Sequence, residues 1–101
     1  MSFEVLNKFK EYHQKNPHIW NAFEKFACIA SQHRNKFSAR AIFEQIRWET
    51  MVSGDGDFKV WDHASPYYAR MFEEKYPQFE GFFRKKDILP EGFSVTNYLE
   101  Q

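Results

Sequence analysis

Four histidines, one cysteine and the turn Ser53-Gly54-Asp55-Gly56-Asp57 are the parts of this chain that come nearest to recognisable chemistry. His13, His18, His33 and His63 have no mutual spacing that makes a metal site by itself. With Cys28 as the only thiol, no zinc pattern of paired Cys and His can be assembled from local sequence. Asp55 and Asp57 sit like the first two ligands of a calcium loop. That loop would then need an acidic or amide side chain at position 59 and a glycine at position 60, where Lys59 and Val60 stand, so the match fails. His63 follows Asp62 and lies near Asp57, and a carboxylate beside an imidazole is the raw material of acid–base catalysis. A loop histidine solvated among loop carboxylates is the commoner outcome of such a sequence. Cys28 falls on the polar side of its helix with no base beside it, which argues against a nucleophile. No glycine-rich phosphate loop and no nucleophile elbow is present. The expectation is therefore a protein that is not an enzyme and takes no cofactor or metal.

Charge offers more. The formal net charge is zero, which disfavours indiscriminate polyanion binding, but the charges are sorted along the chain. Positions 34–48 hold Arg34, Lys36, Arg40 and Arg47 against Glu44 alone, and Arg84-Lys85-Lys86 form a second basic run. Between them, Glu49, Asp55, Asp57 and Asp62 outnumber Lys59. Two basic segments make a basic face only if the fold brings them together. On the helix read below at Ser65, Tyr67 and Arg70 lie off the main apolar stripe and are free to meet a groove. Lys36, Arg40, Arg47, Tyr67, Arg70, Arg84, Lys85 and Lys86 are thus the candidate contact set for double-stranded DNA, with the lysines and most arginines holding phosphates. Glu73 and Glu74 share the Ser65 helix and oppose that reading unless they turn away. The competing expectation is a protein-binding inhibitor of a host nuclease or defence complex. Acidic side chains would then mimic phosphates, and the aromatic content of 20% would supply surplus rings as anchors.

The elements that must position these residues are mostly helical. Val5, Leu6, Phe9 and Tyr12 make one face of a helix over 2–15. Asn16-Pro17 caps and opens a second, to His33, with Ile19, Phe23, Phe26 and Ala30 inward. Ser38 caps a third, through about Thr50, with Ala39, Ile42, Phe43 and Ile46 inward and Trp48 available for core or for stacking. Ser65 and Pro66 open a fourth, which Pro77 stops at Tyr76. Tyr68, Phe72 and Tyr76 form its buried stripe. Phe58 to Trp61 and Phe82 to Ile88 read as short strands, and Ser94 to Gln101 as a short helical or frayed tail. A single domain is expected, with no apolar run long enough to span a membrane and with a lone cysteine suited to a reducing compartment.

Helix, helix, helix, strand, helix, strand predicts a mainly α fold with a small two-stranded antiparallel sheet, a winged-helix-like α+β arrangement. The 14 residues from Met51 to Ala64 are longer than the tight turn of a compact helix-turn-helix. The runs Phe37-Ser-Ala-Arg-Ala-Ile-Phe-Glu-Gln-Ile-Arg-Trp-Glu-Thr, Gly56-Asp-Phe-Lys-Val, Pro66-Tyr-Tyr-Ala-Arg-Met-Phe and Gly81-Phe-Phe-Arg together resemble a small family of phage and prophage hypothetical proteins. The resemblance covers about residues 17–86, leaving the first helix and the tail from 88 outside it. It implies a virus-derived protein of the bacterial cytoplasm and carries over no catalytic residue. Where that family has an Asn-rich segment after its first strand, this chain has Trp61-Asp62-His63-Ala64, so roles tied to those Asn residues are not implied here.

Overall fold

The computed structural model describes residues 3–53, 61–83 and 92–100. Five helices follow in order: α1 (Phe3–Lys15), α2 (Pro17–His33), α3 (Ala39–Ser53), α4 (Ser65–Lys75) and α5 (Val95–Leu99). Single 3-10 turns at Asp62–Ala64 and Pro77–Phe79 bracket α4. The helices start and stop for the reasons their sequences offer, with two exceptions. Ser38 Oγ accepts from the Ala41 amide and caps α3, and Pro17 opens α2. Asn16, however, turns its side-chain amide back to the Tyr12 carbonyl, and Ser65 is drawn inside α4 and buried, so neither caps its helix through the side chain. Tyr76, out of helical geometry at φ −124° and ψ 77° before Pro77, ends α4.

α4 is the centre of the fold. Seven of its 11 residues are buried: Ser65, Tyr67, Tyr68, Ala69, Met71, Phe72 and Glu73. It packs against α2, α3 and α5, and its aromatic side chains also meet α1. Tyr68 is the hub. Its ring lies 5.0 Å from Phe9 and 5.5 Å from His13 on α1, 5.7 Å from Trp20 and 5.8 Å from Phe23 on α2, and 5.9 Å from Phe43 on α3. A phenol with no exposure must find a partner for its hydroxyl, and the Tyr68 hydroxyl shares a hydrogen bond with His13 Nδ1 at 2.9 Å. Burial holds the His13 imidazole below its ordinary pKa and the Tyr68 phenol above its own, so both are neutral near pH 7. At the far end of α4, Glu24 of α2 accepts from the Tyr76 hydroxyl at 2.9 Å and pairs with Lys75.

The expected two-stranded antiparallel sheet and the winged-helix arrangement are not what forms. Among the described residues there is no strand, only an isolated parallel bridge between Phe37 and Phe83. Positions 58–60 and 84–88 of the two expected strands lie outside the described residues, and Trp61 leads directly into a 3-10 turn. The physical reason is visible at Phe82 and Phe83. Both rings are buried, whereas a strand would send consecutive side chains to opposite faces. Glu73, itself buried, accepts the Gly81 amide at 2.8 Å and the Phe83 amide at 3.1 Å. The donors that a neighbouring strand would have used are taken by a carboxylate of α4.

Of the residues expected in the core, Phe23, Ile42, Ile46, Tyr68 and Phe72 are buried, and Phe26 is half-buried against it. Cys28, expected on a polar face, is also half-buried and packs on the core.

Candidate nucleic-acid interface

The α2–α3 junction gathers unpaired positive charge. α2 closes with the Arg34 amide donating to the Ala30 carbonyl at 2.9 Å, and Asn35 and Lys36 carry the chain across to Phe37. Phe37 is the fixed point. Its amide donates to the Phe82 carbonyl at 2.9 Å, its ring stacks on Phe82 at 6.5 Å, and it bridges to Phe83. With Phe37 turned inward, its neighbours on both sides are left on the surface. Arg34, Lys36 and Arg40 are all exposed, and none has an ion-pair partner among the described residues. From Phe83 the chain continues in sequence into Arg84-Lys85-Lys86, which lie outside the described residues. The segment bearing Arg34, Lys36 and Arg40 thus meets, at Phe37 and Phe83, the segment that continues in sequence into the second basic run.

The remaining candidate contacts fare differently. Arg47 is half-exposed and pairs with Glu44 at 3.0 Å, one turn back on the same helix, so its charge is partly spent. Tyr67 does not face outward. Its side chain is buried and stacks on Phe9 at 4.9 Å, in the contact between α1 and α4. Burial raises the Tyr67 phenol pKa, with nearby Arg70 acting in the opposite direction. Arg70 is half-exposed and donates from Nη1 to the Pro66 carbonyl of its own helix at 3.0 Å. Glu73 and Glu74, which stood against phosphate binding, are both engaged internally. Glu73 holds the 81–83 turn, while Glu74 accepts from the Thr96 amide and hydroxyl at 3.1 and 2.7 Å and fixes the first turn of α5.

Two surface features had less advance notice. Trp48, 61% exposed, stands on the side of α3 opposite Ile42, Phe43 and Ile46, with Met51 and Val52 beside it. Helical spacing from Ile42 and Ile46 predicts that outward direction, because Trp48 falls on neither core row. The second is an open groove of about 580 Å³ between α1 and the 61–63 segment, lined by Val5, Lys8, Tyr12, Lys15, Trp61 and His63 among others. Tyr12 and Trp61 meet edge to face at 5.6 Å in its wall. Glu11 is tied to Lys15 at 2.9 Å, which holds its carboxyl below the usual range.

No group of three potential metal ligands occurs among the described residues. Nor is any of their helices long and apolar enough to cross a membrane. No family model matches the chain, and neither a curated protein nor a solved structure matches it.

Proposed function

We propose that this chain is a non-enzymatic nucleic-acid-binding protein that holds phosphates at the basic corner of the α2–α3 junction. The observation that carries the reading is the Phe37–Phe83 bridge. It joins the segment bearing Arg34, Lys36 and Arg40 to the one that continues into Arg84-Lys85-Lys86. A neutral chain can bind a polyanion if its cations are concentrated, because affinity comes from the counterions released at each neutralised phosphate. With Tyr67 in the core, contact to base edges by α4 loses its support, and the binding expected is directed at the backbone, with little sequence preference. On the phage-family resemblance alone, the setting is the cytoplasm of a bacterial host.

The test is a titration of mixed-sequence duplex DNA at several salt concentrations against K36A/R40A and K85A/K86A variants. Each lost phosphate contact flattens the log–log salt slope by roughly one unit and weakens all sequences alike. No binding of either duplex or single-stranded DNA at low salt overturns the reading.

A second reading, inhibition of a host nuclease or defence complex, draws on the exposed Trp48, Met51 and Val52. Tryptophan is enriched among the residues that dominate protein interfaces. Its phosphate-mimicry argument is weaker than the sequence suggests, since Glu73 and Glu74 are occupied within the fold. This reading predicts that purified host nuclease or defence complex is inhibited stoichiometrically and that W48A relieves the inhibition.

A further inference from the structure

We infer that the nucleic acid taken by the basic corner is single-stranded, with an unpaired base stacking on Trp48. The inference rests on the phosphate-binding reading and names its substrate class. Trp48 is 61% exposed and sits on the same helix as Arg40, eight positions further on, or about 12 Å along the axis. One helix thus carries an open indole face and, about two turns away, Arg40, a cation without an ion-pair partner among the described residues. Single strands are bound by that combination: a charged track for the backbone and an aromatic surface for the bases.

The two halves of α3 divide the work by charge. Glu44 and Glu49 flank Trp48, and Glu44 neutralises Arg47 at 3.0 Å. Phosphates are therefore disfavoured beside the ring and favoured toward Arg40, Lys36 and Arg34. Met51, 69% exposed, adds an apolar edge on which the far side of a base or sugar can rest. Duplex DNA presents no such match, because its base faces are covered by their neighbours and exposing one costs unstacking. The fold weakens the competing duplex device as well, since α4 buries seven of its 11 residues, Tyr67 among them.

The experiment measures anisotropy of labelled oligo(dT) of about 20 nucleotides and of a duplex of the same length, at low salt, with the full chain. Parent, W48A, W48F and K36A/R40A proteins are compared. An exposed Trp48 makes W48A a folded variant, which circular dichroism checks. The expected result is tighter binding of oligo(dT) than of duplex, and a loss for oligo(dT) in W48A of about 5- to 150-fold. W48F should retain most of the affinity, and duplex binding should not respond to position 48. K36A/R40A should weaken both ligands. Equal binding of the two with no response to W48A overturns this inference and leaves the phosphate-binding reading standing. No binding of either ligand overturns both. If W48A leaves oligo(dT) affinity intact but relieves inhibition of a host nuclease, the inference is overturned in favour of a protein partner.

Discussion

Replacing Glu73 by Ala should be among the most damaging changes to a charged residue in this chain. The residue is 7% exposed, and its carboxylate accepts two backbone amides, Gly81 at 2.8 Å and Phe83 at 3.1 Å. A hydrogen bond to a charged group contributes about 1.5–3 kcal/mol net, and a buried donor left without a partner costs a similar amount. Gly81 is exposed, so its amide regains water, whereas the bond to Phe83 is buried and its amide does not. The expected loss for E73A is therefore about 3–4 kcal/mol, a large part of the roughly 5–15 kcal/mol available to a small domain. E73Q keeps the shape but offers one acceptor oxygen and turns an NH2 toward the other amide, and should lose about 2 kcal/mol. E74A next door is the control. Its bonds to Thr96 are exposed, and it should lose no more than about 1 kcal/mol. Urea unfolding followed by circular dichroism gives the three values, and hydrogen exchange at the Phe83 amide reports the local bond. A loss below about 1 kcal/mol for E73A, or unchanged protection at Phe83, would refute the claim that this carboxylate organises the turn. E73A should also weaken nucleic-acid binding, because the turn it anchors leads into the basic run.

Phe72, fully buried and ringed by Tyr76, Phe79 and Phe83 at 4.9–5.8 Å, should lose about 3–5 kcal/mol as F72A in the same assay. A loss near zero would mean the site collapses or is not core. His13 should make stability fall with acid. Burial holds its folded pKa below 6.5, so below that pH the unfolded chain binds the extra proton, and stability declines until the folded pKa is passed. H13Q should flatten the urea-midpoint profile between about pH 7 and 5 relative to the parent, and superimposable profiles would count against a neutral His13 buried beside Tyr68.

The helices were readable because each carries its own periodicity and punctuation. Pro17–His33 matches its expected span, and the other long helices differ from theirs by at most a few residues. The environment of α4 was not readable. The rule of one apolar stripe assigns Tyr68, Phe72 and Tyr76 inward and leaves Tyr67 and Arg70 for solvent. That rule describes a helix packed on one side. α4 meets neighbours on nearly every side, so Tyr67, Ala69, Met71 and even Glu73 go inside. The strand reading of Phe82 onward failed for a related reason. Nothing local in Gly81-Phe82-Phe83 tells that a carboxylate eight to ten positions earlier will take its amides. Of the candidate site, the cations at 36 and 40 were legible as surface charge. Their meeting with the 82–83 segment depends on a contact between residues 46 apart, which periodicity does not encode.

The way α1 is fastened bears on the order in which the chain can acquire its structure. Its bonds reach far forward: His13 to Tyr68 across 55 positions, Tyr12 to Trp61 across 49, and Asn7 to Tyr98 across 91. Emerging before all of these partners during synthesis, α1 must wait for a long stretch of chain before they exist. As a lone helix of 13 residues it would be only marginally formed in water. Closing such long loops is slow compared with pairing α2 and α3. α1, made ahead of its partners, is therefore the last of these helices to lock, and variants that loosen Tyr68 should accelerate unfolding through α1 while changing the folding rate little.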